Sequence, residues 1–139
     1  MNPTLAHRLR DAGVQPSAQR LAVAGYVLDT VDHPSTDEVL ERVQAELPML
    51  SRATVYNTLH LFVRQGLLRQ LVLAEGKVVY DPRLEPHHHF VDDESGRIED
   101  VPWEALKVGD VGALRGYEVR EYMVVMRGRK QPAPRGKKR

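Results

Sequence analysis

Pro82 and Pro86 bracket the stretch Asp81-Pro82-Arg83-Leu84-Glu85-Pro86, and the hydrophobic pattern changes character across it. Proline fixes φ and removes a backbone donor, so neither a helix interior nor a central strand runs through such a segment. In a chain of 139 residues this break leaves two very small domains, each needing its own core. Apolar residues recur at helical spacing before the break, and strand-like runs follow it. The expectation is an α+β chain with residues 1–81 as one domain, 82–86 as a hinge, 87–126 as a second domain and 127–139 as a basic, disordered tail.

The first part reads as short helices. Leu5, Leu9 and Ala12 form a weak apolar stripe that Gly13 ends. Ala24, Val27, Leu28 and Val31 fall on one helical face, and His33-Pro34 stops that helix. Ser35 with Glu38 three residues on is a capping box, and Val39, Leu40, Val43 and Leu47 give the next helix its buried side, up to Pro48. Ser51 is the expected cap of a fourth helix, Arg52 to Gln65, which Gly66 closes. Two strand-like runs, Leu67–Leu73 and Lys77–Tyr80, flank Ala74-Glu75-Gly76 as a hairpin.

Helix, turn, helix and hairpin make the layout of a winged helix-turn-helix domain. Val55, Leu59, Phe62 and Val63 occupy one side of the fourth helix, leaving Arg52, Tyr56, Asn57, His60 and Arg64 to its other faces. Aromatic, amide and guanidinium groups on an outer face suit a DNA major groove. The same periodicity also fits a small helical domain with a hairpin attached.

Beyond the break, strands are expected at His87–Val91, Arg97–Val101 and Tyr117–Met126, with any helix in Trp103–Leu114 shortened or broken by Gly109 and Gly112. Charge is distributed unevenly. Residues 1–80 hold eight basic and eight acidic groups, residues 81–126 five and eleven, and residues 127–139 seven basic and none acidic. A neutral front, an acidic middle and a basic tail assign contact with phosphates to the front and the tail. There is no apolar run of the ~18 residues that spans a bilayer and no signal-peptide core in Met1–Arg10, so the expectation is a cytoplasmic protein without membrane partners.

Cysteine is absent, which removes disulfides, thiolate zinc sites and cysteine nucleophiles together. Any metal is then held by nitrogen and oxygen. His87-His88-His89 is the strongest chemical signal. On a strand His87 and His89 share a face, where two imidazoles can take one cation. Asp100 lies on the next expected strand, Asp81 before the hinge and His33 at the mouth of the third helix. Three imidazoles and two carboxylates suit Mn²⁺ or Fe²⁺, with Zn²⁺ possible at the same place. Three adjacent histidines also fit a solvated strand or loop with no metal.

The run Ser51-Arg52-Ala53-Thr54-Val55-Tyr56-Asn57-Thr58-Leu59 resembles the recognition helix of the ferric uptake regulator superfamily. Gln19-Arg20, Asp32-His33-Pro34-Ser35, Tyr80-Asp81, His87-His88-His89 and Gly96-Arg97-Ile98-Glu99-Asp100 follow the family order, so the resemblance covers residues 5–126. Asp at position 100 is similar to the peroxide-responsive branch, and the region around His87–Phe90 to an iron response regulator-like branch. The resemblance implies a winged-helix domain followed by a small α/β dimerisation domain, with regulatory ligands His33, Asp81, His87, His89 and Asp100. It implies DNA contacts from Arg20, Ser51, Arg52, Thr54, Tyr56 and Asn57. The implied partners are double-stranded operator DNA and a second copy of the chain.

Departures from the family are equally concrete. The Cys-x-x-Cys pairs that hold a structural zinc are missing, and Asp92 and Ser95 stand where the first pair would lie. Pro86, Lys107 and Tyr122 replace the donors of a further family site, and a Cys-Pro haem motif is impossible. His88 is expected to point away from the metal as a bystander. The function expected is a metal-dependent DNA-binding repressor, not an enzyme, sensing iron, manganese or peroxide. A winged-helix regulator without a metal switch and a metal-dependent hydrolase are the competing classes.

Overall fold

Among the described residues each of the four α-helices starts on a hydroxyl side chain. α1 (Leu5–Asp11) begins on Thr4, α2 (Ala18–Val27) on Ser17, α3 (Thr36–Gln44) on Ser35 and α4 (Arg52–Arg64) on Ser51. Every one of these oxygens accepts the backbone N–H three residues on, at 3.1–3.2 Å. Such a cap contributes about 1 kcal/mol. Glu38 completes the box by accepting the Ser35 N–H at 2.8 Å. The computed structural model describes residues 4–74 and 76–132.

The chain divides into two compact units, Met1–Glu85 and Pro86–Arg139. In the first, Val55, Leu59 and Phe62 of α4 pack with Val23 and Val27 of α2, Val39 of α3, Leu9 and Tyr80 into one buried cluster. β1 (Arg69–Ala74) and β2 (Lys77–Asp81) pair antiparallel, with Gln70 opposite Tyr80. Gly76 sits in the turn with φ 62, which a side chain rarely tolerates. Two helices end earlier than their prolines suggest. α2 stops at Val27 because the Thr30 hydroxyl accepts the Asp32 N–H (3.1 Å) and turns the chain before His33-Pro34. α3 stops at Gln44, whose side-chain amide donates to Leu50 O (3.0 Å) and closes the turn that contains Pro48.

The second unit holds a three-stranded sheet in the order β4-β3-β5. β3 (His88–Asp92) pairs antiparallel with β4 (Ile98–Val101) and parallel with β5 (Val125–Gly128). A parallel pair needs a long crossover. Here it contains two single 3-10 turns, Trp103–Ala105 and Val111–Ala113. The expected strand Tyr117–Met126 is largely corrected: residues 117–124 are irregular, and pairing with β3 starts only at Val125. Arg127 and Gly128, expected in the tail, belong to β5 opposite Val91 and Asp92. Residues 129–132 of that tail form neither helix nor strand, and 133–139 lie outside the described residues. Among the described residues no helix is long and apolar enough to cross a membrane.

Candidate metal centre and nucleic-acid interface

His33 adopts φ 51, a left-handed conformation that costs a residue with a Cβ roughly 1–2 kcal/mol. The conformation is held in place by its neighbours: Pro34 O accepts the Tyr80 N–H at 2.9 Å. The kink is thereby tied to the end of β2, and His33 Nε2 lies 3.4 Å from Asp81 Oδ2, both side chains at most 3% exposed. The other Asp81 oxygen accepts the Arg83 N–H at 2.9 Å, which fixes the carboxylate's rotation.

A second group forms in the other unit. His89 faces Asp100 across the β3–β4 ladder. Asp100 Oδ1 lies 3.2 Å from His87 Nε2 and 3.6 Å from His89 Nε2. The two imidazole centroids are 4.5 Å apart. His87 precedes β3 by one residue, yet its ring still joins that of His89, as alternation predicts. Within the first unit His33 meets Asp81, and within the second His87 and His89 meet Asp100. Imidazole nitrogens and carboxylate oxygens without any thiolate fit Mn²⁺, Fe²⁺ or Zn²⁺.

His88, expected to stand aside from the metal, is a packed residue of the sheet. It is 1% exposed, its Nδ1 accepts the Val124 N–H at 3.0 Å, and its ring stacks on Trp103 at 4.6 Å. The alternation that put His87 and His89 together pointed His88 into the opposite side of the sheet, where it packs. Tyr122 continues the stack, its ring 4.9 Å from Trp103. At Asp92 and Ser95, the turn closes by hydrogen bonds: Asp92 Oδ1 accepts the N–H of Glu94 (2.9 Å) and Ser95 (3.4 Å). The Glu94 N–H is the main reason the Asp92 carboxyl lies below its ordinary pKa.

The proposed DNA contacts fall into two sorts. Ser51 and Thr54 form the cap of α4, with Ser51 Oγ accepting the Thr54 N–H and its hydroxyl donating to Thr54 Oγ1 at 2.9 Å. Arg20 is turned to Gln15 O at 2.9 Å. Arg52, Tyr56 and Asn57 stand exposed on α4, the Tyr56 ring 4.2 Å from that of His60. Arg52 and Tyr56 border a cleft of about 540 Å³ whose other walls include Ser35, Asp37, Gln70 and Lys77. The hairpin residues Gln70 and Lys77 were not among the sequence candidates for DNA contact. The only available signal was their place at the hairpin ends.

A winged helix followed by a small sheet unit with imidazole and carboxylate donors defines a metal-responsive transcription regulator. The family model "Ferric uptake regulator family" matches residues 11–126. The peroxide-responsive repressor PerR of Staphylococcus aureus is 31% identical over 98 residues, a stretch covering 70% of this chain and 66% of that protein. The Campylobacter jejuni peroxide stress regulator superposes with a TM-score of 0.66 at 28% identity, over 94% of this chain and 96% of that one. The Pseudomonas aeruginosa ferric uptake regulator with manganese does so with 0.66 at 23% identity, over 90% and 96%. The chain belongs to the ferric uptake regulator family, whose members are metal-dependent DNA-binding repressors, and is similar to its peroxide-responsive branch.

Proposed function

We propose that this chain is a metal-dependent, DNA-binding transcriptional repressor in which His33, Asp81, His87, His89 and Asp100 hold one divalent cation. The observation that carries the reading is the pairing of buried imidazoles with carboxylates on both sides of residues 82–86, His33 with Asp81 before and His87 and His89 with Asp100 after. When bound, the cation supplies one positive centre that all five donors can share. His33 and Asp81 then anchor the winged helix, while His87, His89 and Asp100 anchor the sheet unit. Holding these anchors together selects one arrangement of the two units from the range the 82–86 hinge allows.

The chain works as a homodimer on operator DNA, in the cytoplasm and without a catalytic step. Its paired α4 helices enter successive major grooves about 34 Å apart. Exposed Leu114, Tyr117, Val119 and Met123 in the sheet unit support a second copy as the partner. With no cysteine to hold a thiolate zinc, the dimer in this reading coheres by apolar packing and strand pairing. Mn²⁺ or Fe²⁺ is the working cation, with Zn²⁺ a competitor at the same donors.

The test combines metal analysis with DNA retention. Purified chain is stripped with chelator, reloaded with Mn²⁺, Fe²⁺ or Zn²⁺, and offered a randomised duplex pool. One cation per chain and enrichment of a duplex only in a loaded form are expected. Equal enrichment by the stripped chain contradicts the reading.

A further inference from the structure

The cleft beside α4 contains an exposed ion pair that core packing does not require. Arg52 is the first residue of α4, and Asp37 lies in the first turn of α3. Their side chains are 61% and 72% exposed, so the pair adds little to stability. Its geometry is nevertheless specific: Arg52 Nε donates to Asp37 Oδ1 at 2.6 Å. The guanidinium is planar, with its donors in a fixed fork. A carboxylate on Nε therefore sets the direction of the whole plane. Among the described residues neither terminal nitrogen of Arg52 has a hydrogen-bond partner, so the Nη1–Nη2 edge is available. Lys77 makes the contrast. Its ammonium, 3.8 Å from Glu38 Oε1, is a point charge without such direction.

Two donors side by side match two acceptors side by side. In the major groove, guanine O6 and N7 present that pair. The geometry points to Asp37 as a positioning residue: it aims the outer edge of Arg52 at one guanine of the operator. The inference rests on the reading of α4 as the DNA-reading helix. Asp37 touches no base in this scheme, and its carboxylate repels phosphate. Its removal therefore has two separable effects, a general gain in affinity and a loss of guanine discrimination.

The test uses the Mn²⁺-loaded full chain and a duplex selected by it from a randomised pool. Each guanine in turn is replaced by 7-deazaguanine, which keeps base pairing and O6 but lacks N7. The unaltered chain is expected to lose roughly fivefold or more in affinity at one guanine per half-site. Asp37→Ala should abolish most of that penalty without weakening binding to the unmodified duplex, and Asp37→Glu should restore part of it. Arg52→Lys should abolish it, with Asp37→Ala adding nothing further on that background. Unchanged thermal midpoints confirm that these exposed positions leave the fold intact. If Asp37→Ala raises affinity for every duplex while the penalty persists, Asp37 only screens charge and the inference fails. It fails equally if no guanine is sensitive in the unaltered chain, which assigns Arg52 to phosphate. If the unaltered loaded chain retains no duplex at all, the reading of α4 fails along with it.

Discussion

His33 Nε2 and Asp81 Oδ2 stand 3.4 Å apart, although one residue sits on a left-handed kink after α2 and the other at the end of β2. Both are buried, and both belong to the proposed ligand set. Asp81→Asn keeps the size and removes the charge. The expected result is a loss of Mn²⁺ affinity of at least roughly tenfold, since even changes to outer-shell partners cost that much. Isothermal titration checks it, and an unchanged dissociation constant would remove Asp81 from the ligand set.

His88 provides a prediction about the sheet rather than the metal. His88→Ala deletes the acceptor for the Val124 N–H and the stack on Trp103. A loss of about 1–3 kcal/mol is expected. His88→Asn, whose amide oxygen can approach the Nδ1 position, should recover part of it. Trp103 is the only tryptophan, so its fluorescence during urea unfolding reports directly on this contact. Equal stability of all three chains would show the contact to be idle.

At the core of the winged helix, Phe62 is fully buried while Tyr56 on the same helix is exposed. Phe62→Ala should cost about 3–5 kcal/mol in chemical denaturation. Tyr56→Ala should leave stability within about 0.5 kcal/mol and weaken binding to the selected duplex. The reverse pattern would mean that the faces of α4 are assigned the wrong way round.

The turn at Asp92 responds to acid with a definite sign. Hydrogen bonds from the Glu94 and Ser95 N–H groups favour the carboxylate and hold its pKa below the ordinary 3.8. The turn is therefore intact above the unfolded value and is lost only as pH falls through the lower folded value. The amide proton signal of Glu94 should shift with a midpoint below 3.8. A midpoint above it would mean that the hydrogen bonds seen here do not persist in solution.

Peroxide treatment of the iron-loaded chain should add oxygen to His33 or His87, while the manganese form stays unmodified. No cysteine competes for the oxidant. Met49, 94% exposed, oxidises without help from a metal, so the comparison is made on the histidine peptides. Peptide mass spectrometry decides it, and unmodified histidines in both forms would exclude peroxide sensing by this route.

The helical half was legible because its signals are local. Hydroxyl caps, the Ser35–Glu38 box and the Val55–Leu59–Phe62 stripe each need only a few neighbouring residues. The His87–His89 pairing was legible for the same reason, since strand alternation is short-range. Residues 117–124 misled because alternation says nothing about whether a partner strand is within reach. The role of His88 was invisible because its partners, Val124 and Trp103, are distant in the chain. Asp37 and Arg52 show no periodic relation either, and only the packing of α3 against α4 brings them together.

The central claim is that donors from both sides of the hinge act on DNA affinity as one set. The most direct measurement is the affinity for the selected duplex with and without Mn²⁺, in the unaltered chain, in Asp81→Asn and in His89→Ala. The two variants, one from each unit, should lose the manganese-dependent gain alike, while all three chains bind equally weakly without metal. A full gain in Asp81→Asn, with loss only in His89→Ala, would confine the metal to the sheet unit and contradict the account.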